Sequence, residues 1–562
     1  MSAHPTSQPH RHGTPLPARA TAPARGQLAA TPKSARFSFA LALALALALG
    51  GCGTPVRNPV TGETERTVMD ERTEIAEGAK GHQEVLKAYT ALADPALQAY
   101  VDRIGQKIAA QSHRSSLKWT FTVLDSPEIN AFALPGGYVY VTRGIMAHLD
   151  SEADLAGVIG HEIGHVTARH GAQRATAQQR ASIFVLGATV LGGLLAGDSG
   201  AQVASQATQQ YQAGSIARYG REQELQADQL GAEYLSRVRY DPKNMIDVIQ
   251  ALKDQERYAA DAARAAGRAV PQGGGWLASH PSNDQRLQAI RSTALKLAGS
   301  RAAADPAGGR AAADAPGGHA VAAWDDDGRE RYLKAIDGMP FGDGREQGVV
   351  RGRNFFHEPL GIALTAPAGW RIVNDTEQLV VMSGAGDAVL VMKMIPEEMV
   401  KKIGTDHAAL LRDALGATTG TTEKLTLGGG LAATHFSGQR RNAQGQTGPL
   451  TATIVSGPGG RMFLLGWSAR DAQAMQKSRA VLREAELSFR PLTAADRSAA
   501  RPWRVKLAPF PAGGFAQLAR STPLTELPEQ QLLLLNSAYH EGTAGGAASR
   551  DPKPGQLVKV IE

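Results

Sequence analysis

One predicted helix constrains this chain more than any other stretch. Residues 158–170 read V-I-G-H-E-I-G-H-V-T-A-R-H and contain the pattern H-E-x-x-H at His161, Glu162 and His165. Residues four apart lie on one face of an α-helix, so both imidazoles can reach the same metal ion. Because unpaired polar groups are costly in an interior, this helix favours a zinc site over two unconnected surface histidines. Its apolar face is formed by Leu155, Val158, Ile159, Ile163 and Val166.

These residue types predict metal-assisted hydrolysis, most simply of a peptide bond. Zinc is a Lewis acid that lowers the pKa of water bound to it, and a nearby carboxylate can accept the proton. His161 and His165 are the predicted ligands of one zinc ion per chain, with water in the open position. Glu162 is the predicted general base and then the acid.

A third metal ligand must come from another segment. Residues 221–236 read R-E-Q-E-L-Q-A-D-Q-L-G-A-E-Y-L-S and carry apolar residues at helical spacing. Glu224 and Asp228 are four apart and share a helix face. One of these acids can bind the metal while the other orients a ligating histidine through its second ring nitrogen. An acidic pair on a helix is also typical of a solvated surface, and only the histidine pair favours the metal interpretation.

Four motifs, in this order along the chain, resemble the BepA-like, HtpX-related zinc metalloendopeptidases of the bacterial envelope. They are N-A-F-A-L-P-G-G-Y-V-Y-V-T-R-G at 130–144, H-E-I-G-H-V-T-A-R-H, R-E-Q-E-L-Q-A-D, and S-H-P-S-N-D-Q-R at 279–286. The resemblance covers about residues 74–296. One departure is Gly220, where a serine is common in the family, but that position is not a ligand.

The resemblance assigns further roles. Glu224 matches the family's third zinc ligand, and Asp228 matches the acid that supports a ligand. The matching histidine, His280, can approach the zinc and block the open position; the alternative is an ordinary surface-loop histidine. Arg286 falls near the active site, where it either stabilises the oxyanion of the tetrahedral intermediate or pairs with an acid.

The N-terminus has the features of a secretory signal. Residues 1–51 combine an unusually long basic region with a short run of leucine and alanine, and the segment ends in L-G-G-C. Cys52 is the single cysteine, and its setting resembles the bacterial lipobox, which predicts a lipidated mature N-terminus. Gly53, rather than an aspartate, follows it and favours the outer membrane, facing the periplasm. The alternatives are a transmembrane anchor or a chance cysteine.

Composition excludes little except nucleic-acid binding. The net charge is +7, but residues 1–51 carry five basic residues and no acid, so the remainder of the chain is close to balance. No basic run is interleaved with aromatic residues, as nucleic-acid binding would favour. A length of 562 residues is enough for three or more domains.

The predicted fold class is α+β. We expect a mainly helical zincin (gluzincin-type) metallopeptidase domain with a small sheet, then an α+β accessory domain and a small LysM-like tail of βααβ form. The tail lacks the usual G-D-T, so the alternative to glycan binding is a structural cap. The predicted boundaries are a signal at 1–51, a tether at 52–73, the peptidase domain at 74–298, an Ala/Gly-rich linker at 299–324, the accessory domain at 325–490 and the tail at 503–562.

Several local predictions can be compared with the structure. Helical structure is expected at 74–110, where Asp94-Pro95 is a start signal, and at 396–415 and 471–489. Strands are expected at 379–383 and 388–395, and a hinge is expected at 491–502. The strand predicted at 138–142 is either plain core or a cleft strand that pairs with an extended substrate.

Residues 181–197 are almost wholly apolar or small and approach the length of a membrane span. A single crossing would place His165 and Glu224 on opposite sides of the membrane, although both must reach one metal. We therefore expect this segment to cover the cleft, to rest on a membrane surface or to pack in the core.

Together these observations predict a zinc-dependent metalloendopeptidase of the cell envelope that hydrolyses misfolded or stalled periplasmic and outer-membrane proteins. By resemblance, its partners are unfolded or misassembled envelope proteins, the outer membrane through the lipid, the outer-membrane assembly machinery and, through the tail, peptidoglycan. The alternative function is a latent, chaperone-like assembly factor with incidental proteolysis.

Overall fold

The structure is a computed structural model, which describes residues 53–179, 182, 220–267, 270, 280, 284–304, 324–374, 378–442, 445–539 and 552–562. Residues Gly53–Glu562 form one compact unit. The predicted signal, Cys52, nearly all of 181–197 and most of the predicted linker lie outside the described residues. Among the described residues, no helix combines the length and apolar character that a membrane crossing needs.

The first half of the chain is mainly helical. We call Glu152–Thr167 the motif helix and Arg221–Arg237 the acidic helix. The segment predicted to be helical, 74–110, divides into two helices, and the second begins at the predicted start signal: the Asp94 carboxylate accepts a hydrogen bond from the Leu97 amide, and Pro95 is the first helical residue. The remaining helices are Glu71–Ala88, Pro95–Ala109, Arg143–His148, residues 170–179, Asn244–Ala265 and Asp284–Ala304.

The last of these helices continues into the segment predicted as a linker. The linker was expected to begin at residue 299, but Asp284–Ala304 is one uninterrupted helix. Alanine, the strongest helix former, dominates its last turn and explains the extension.

A three-stranded sheet lies beside the motif helix. Tyr138–Thr142 is the central strand, parallel to Thr120–Leu124 and antiparallel to Ala131–Leu134. The strand prediction at 138–142 is confirmed, but its proposed pairing with substrate is wrong, because both of its edges are already occupied. The edge strand that packs against the motif helix is Ala131–Leu134.

The predicted tether is not free where the structure describes it. Strands Thr54–Arg57 and Thr64–Thr67 form an antiparallel hairpin. Asn58 Nδ2 donates to the Ala168 carbonyl oxygen at 3.2 Å, and Thr67 Oγ1 lies 3.1 Å from Thr176 Oγ1. The tether prediction is therefore wrong for these residues. Their polar composition concealed a hairpin that backbone and side-chain hydrogen bonds hold in place and whose Val60 packs against the main core.

The accessory domain, after helix Arg329–Ile336, is built around a seven-stranded antiparallel sheet, covered in part by helix Ala472–Leu487. In sheet order the strands are Arg371–Asn374, Leu379–Met382, Ala388–Met394, Met462–Ala469, Thr447–Ser456, Leu431–Arg441 and Ala417–Leu427. A four-stranded sheet packs beside them, with strands in the order Arg490–Pro491, Ile362–Thr365, Asn354–His357 and Val349–Arg351.

Two local predictions in this domain are wrong. The expected helix over 396–415 breaks into Glu397–Ile403 and His407–Ala409, followed by a π-helical turn at Leu410–Ala414, because Gly404 adopts a φ of 96°. The expected hinge at 491–502 contains the short helix Ala494–Ala499, which Thr493 and Asp496 close with a capping box. The helix predicted over 471–489 is confirmed as Ala472–Leu487, capped by Asp471.

The tail has the predicted order of elements: strand Trp503–Pro509, helices Gly514–Leu518 and Pro528–Leu535, and strand Leu557–Ile561. Its first strand also pairs with Pro340–Phe341. Lys559 is fully buried, and its Nζ donates to the carbonyl oxygens of Ala147 (3.1 Å) and Leu149 (2.6 Å). The tail is thus anchored to the segment that immediately precedes the motif helix. Its LysM identity and glycan binding stay predictions.

Candidate metal centre

The motif helix is buried along its whole length and is tightly packed against the acidic helix. Ser151 caps its N-terminus by accepting a hydrogen bond from the Asp154 amide at 3.0 Å. Glycines allow the two helices to approach: a Cβ at Gly164 would lie 3.1 Å from the Ala227 carbonyl oxygen, and one at Gly231 would lie 3.1 Å from the His161 nitrogen. This close approach brings the face that carries the two histidines against the face that carries the two acids.

Four buried side chains converge at this contact. Each of His161, His165, Glu224 and His280 offers one ligand atom, and these atoms all lie within 4.8 Å of one another. His161 Nε2 and His165 Nε2 are 3.0 Å apart. Glu224 Oε2 lies 3.6 Å from His161 Nε2, and Glu224 Oε1 lies 3.5 Å from His165 Nε2. The structure therefore brings together the histidine pair and the acid that the family resemblance implied as the third ligand.

His280 belongs to the same cluster although it is distant in sequence. Its Nδ1 lies 3.2 Å from His161 Nε2 and 3.0 Å from Glu224 Oε1. Its Nε2 lies 3.6 Å from Glu162 Oε1. The imidazole thus stands between the proposed metal ligands and the proposed general base, and it is not a surface-loop side chain.

Hydrogen bonds orient the first histidine. His161 Nδ1 lies 3.0 Å from Asp228 Oδ1, and this carboxylate in turn accepts two hydrogen bonds of 2.7 Å from Arg286 Nε and Nη2. An acceptor at Nδ1 holds the proton there and leaves the Nε2 lone pair directed into the cluster.

The second histidine is oriented by two residues that sequence reasoning missed. His165 Nδ1 lies 2.9 Å from His170 Nδ1, and His170 Nε2 lies 2.9 Å from Gln226 Oε1. The amide oxygen accepts the His170 Nε2 proton, so His170 Nδ1 accepts the proton of His165 Nδ1 and leaves His165 Nε2 for the cluster. The only sequence signal was position: His170 ends the histidine motif, and Gln226 lies between Glu224 and Asp228.

The donor set fits a zinc ion. Both Nδ1 atoms carry the protons, so the two Nε2 atoms 3.0 Å apart cannot hydrogen-bond to each other, and a cation is needed between their lone pairs. Burial lowers the pKa of His165 well below its usual range and that of His280 to about 3, so both rings are neutral, as a metal requires. Burial also raises the pKa of Glu224 to about 7, and a cation would keep this carboxylate ionised.

Arg286 is fully buried beside the acids. Besides Asp228, its Nη1 contacts Glu224 Oε2 at 3.0 Å and donates to the His280 carbonyl oxygen at 3.3 Å. Of its two suggested roles, these contacts favour pairing with acids over binding an oxyanion.

Asp228→Asn should weaken zinc binding about 10- to 100-fold, because the neutral amide loses the ion pair with Arg286 and holds His161 less firmly. Competition with a zinc-chelating dye measures this affinity. Glu222→Gln, an exposed change on the same helix, is the matched control and should leave the affinity unchanged. Equal affinity in Asp228→Asn and wild type would show that Asp228 does not support the site.

Comparison with known proteins places this centre in a family context. Residues 95–294 match peptidase family M48. A putative beta-barrel assembly-enhancing protease of Vibrio cholerae is 33% identical over 213 residues, which are 36% of this chain and 42% of that protein. The beta-barrel assembly-enhancing protease of Escherichia coli K12 is 31% identical over 205 residues, covering 36% and 39%.

A eukaryotic protein matches a stretch of similar length to a similar degree. The mitochondrial metalloendopeptidase OMA1 of Schizosaccharomyces pombe is 30% identical over 210 residues, which are 37% of this chain and 56% of that protein. The similarity thus spans about two fifths of the length of the bacterial relatives and just over half of the fungal one.

Proposed function

Because residues 95–294 form a peptidase family M48 domain, we propose that this protein is a zinc-dependent metalloendopeptidase. The observation that carries the proposal is the buried convergence of His161, His165, Glu224 and His280, with their ligand atoms within 4.8 Å. Three imidazoles and a carboxylate that are buried this close together are not explained by a solvent-exposed polar surface.

His161, His165 and Glu224 are the proposed zinc ligands. When bound, zinc supplies a Lewis acid and makes water acidic enough to be deprotonated near neutral pH. Glu162 is fully buried next to the first ligand, where its carboxylate takes that proton and later delivers it to the leaving amine. Asp228 and Arg286 hold His161 and Glu224 in place and take no proton in this proposal.

An extended peptide substrate can bind beside the cluster of proposed ligands. Ala131–Leu134 is the edge strand of the small sheet, so its outer backbone groups can pair with a peptide strand. Ala133, Leu134 and Pro135 line a small depression together with His165. This arrangement favours a peptide that extends alongside the edge strand, with the scissile bond near the two histidines.

The proposed substrates are misfolded or stalled proteins of the cell envelope, and the proposed partners include the outer-membrane assembly machinery. Both bacterial relatives described above carry the name beta-barrel assembly-enhancing protease, one of them as putative, which supports this assignment. The second candidate is a chaperone-like assembly factor whose metal site is kept shut. The position of His280 inside the cluster favours keeping that alternative.

Casein digestion tests the proposal. The mature chain should degrade casein when it is loaded with zinc, should stop when a chelator is added and should recover when zinc is restored. Digestion that continues at the same rate in excess chelator would contradict a metalloendopeptidase. A zinc-loaded chain that binds unfolded protein without cleaving it would support the chaperone-like alternative.

His280→Ala should increase peptide hydrolysis several-fold while zinc stays bound. His280 Nδ1 lies among the proposed ligand atoms, so the imidazole can occupy the position that water needs, and removing it opens that position. A fluorogenic peptide assay with parallel zinc analysis measures the effect. A loss of activity with zinc retained would refute latency and make His280 a group that holds substrate or transition state. His407→Ala, in the accessory domain, is the matched control.

The proposed location is the periplasmic face of the outer membrane, to which a lipid on Cys52 would anchor the chain. Cys52→Ser should release the mature chain into the soluble fraction or leave it unprocessed, because the thiol that accepts the lipid is gone. Membrane fractionation and mass spectrometry of the N-terminus check this. An unmodified mature N-terminus downstream of Cys52 would contradict lipidation.

A further inference from the structure

A second cavity lies away from the metal centre, where three parts of the chain meet. Its volume is about 320 Å³. The peptidase region contributes Arg143 and Gln255 to its wall, the accessory region contributes Phe341, and the tail contributes Trp503 and Leu534. We call it the junction cavity. None of the proposed zinc ligands lines it.

Two buried polar groups on its wall have unused hydrogen-bonding capacity. Arg143 is 1% exposed; its Nε bonds Asp125 Oδ1 at 2.5 Å, and its Nη1 donates to the Gly342 carbonyl oxygen at 2.7 Å. Its Nη2 is buried and has no hydrogen-bond partner among the residues that the structure describes. The same holds for Gln255 Oε1, which is also buried. Buried donors and acceptors without a partner are rare, because each missing hydrogen bond costs free energy of folding.

The charged groups on the wall include two guanidinium groups that an anion can approach. The ionisable residues that line the cavity are Arg143, Arg351, Asp343, His148 and Tyr258. Burial lowers the pKa of His148 to about 4, so this ring is neutral, and burial raises the pKa of Asp343, which disfavours its charged form. Two guanidinium groups and one carboxyl group thus line the wall; Asp125, outside the wall, pairs with Arg143 through Nε and leaves Nη2 for an anion.

Apolar and aromatic surfaces form much of the remaining wall. Phe341, Trp503 and Leu534 are among them, and the Arg351 guanidinium lies 4.0 Å from the centre of the Trp503 ring. A volume near 300 Å³ with mostly apolar walls and a few convergent polar groups is typical of a site for a small ligand.

We propose that the junction cavity binds a small carboxylate that also carries an N–H donor and an apolar side chain. Arg143 Nη2 donates to the carboxylate, Gln255 Oε1 accepts from the N–H, and the apolar wall receives the side chain. An N-acylated amino acid and the C-terminal end of a short peptide share this chemistry. The site is independent of the proposed hydrolysis, although peptide ends are among the products that such a reaction releases.

Isothermal titration of the full zinc-loaded chain with N-acetyl-L-leucine tests the proposal. The expected dissociation constant is on the order of 1 mM, the affinity usual for about a dozen non-hydrogen atoms. N-acetyl-L-leucinamide, which lacks the carboxylate, should bind at least about tenfold more weakly, since it loses a charge-assisted hydrogen bond worth about one factor of ten. N-acetyl-glycyl-L-leucine, which has no free ammonium group, separates the sources: tighter binding than N-acetyl-L-leucine indicates a peptide end, and equal or weaker binding indicates an amino-acid derivative.

Variants distinguish the junction cavity from the metal centre. Gln255→Glu replaces the acceptor with an anion and should weaken binding at least about tenfold, by charge repulsion. Leu534→Phe fills the cavity and should have a similar effect. Gln473→Glu is the matched control: it makes the same Gln-to-Glu substitution at an exposed position and should bind N-acetyl-L-leucine as wild type does. Binding that is absent from wild type, equal for acid and amide, or unchanged in both cavity variants would overturn the proposal.

Discussion

Glu162→Gln is expected to lower peptide hydrolysis by about 10²- to 10⁴-fold while the chain keeps its zinc. The amide has almost the same shape but cannot accept a proton, and Glu162 is not among the four converging ligand groups. Cleavage of a fluorogenic peptide and zinc analysis on the same sample give the two numbers that this prediction needs.

Glu222→Gln is the matched control for this change. It makes the same substitution on the exposed surface of the acidic helix and should retain wild-type activity. If Glu162→Gln hydrolysed the peptide at the wild-type rate with zinc bound, another group would have to be the general base.

Glu224→Ala is expected to remove most of the bound zinc and, with it, the activity. The substitution deletes the carboxylate of the four-residue ligand group and leaves Arg286 beside three imidazoles without this acid. The loss of one of three protein ligands from a zinc site is a large effect, because it removes both a bond and the negative charge that offsets the cation. Atomic absorption after gel filtration measures the zinc content.

The outcome for Glu224→Ala must be separated from unfolding. Circular dichroism should show the wild-type helix content, since the neighbouring Ala227 and Gly231 preserve the helix contact. A folded Glu224→Ala chain with one zinc ion per molecule would remove this residue from the site.

The centre was predictable in part because spacing alone places residues on a helix face. The i, i+4 rule put His161 beside His165 and Glu224 beside Asp228, and the structure brings the two pairs together. Spacing alone did not tell which of the two acids, Glu224 or Asp228, binds the metal. The choice depends on how the acidic helix is turned against the motif helix, and Gly164 and Gly231 control that through contacts distant in sequence.

The hydrogen bonds around the ligands were harder to predict. A histidine at the end of a motif and a glutamine between two acids carry no pattern that separates them from ordinary polar residues. The chain from Gln226 through His170 to His165 exists only because the helix formed by residues 170–179 begins directly after the motif helix and returns His170 to it.

The accessory domain shows where pattern analysis fails. Ala417–Leu427 and Leu431–Arg441 are the longest strands of its sheet, yet neither was predicted. Ala417–Leu427 lies at the sheet edge and most of its residues are exposed, so it lacks the apolar alternation that marks a half-buried strand. Strands with alternating buried positions were predictable: Leu379–Met382 and Ala388–Met394 were expected at 379–383 and 388–395.

The contacts between distant segments were also invisible in the sequence. Nothing in L-V-K-V-I-E near the end of the chain signals that Lys559 is buried against Ala147 and Leu149. A lysine in a strand is normally exposed, and here two carbonyl oxygens satisfy its ammonium group. The same holds for the junction cavity, whose wall combines residues more than 300 positions apart.

Anomalous diffraction at the zinc absorption edge, on crystals of the zinc-loaded mature chain, tests the central claim most directly. The account predicts one strong peak inside the cluster, at about 2.0–2.2 Å from His161 Nε2, His165 Nε2 and a Glu224 carboxylate oxygen. A peak bound by other residues, or a zinc-loaded crystal with no peak among these three side chains, would contradict it.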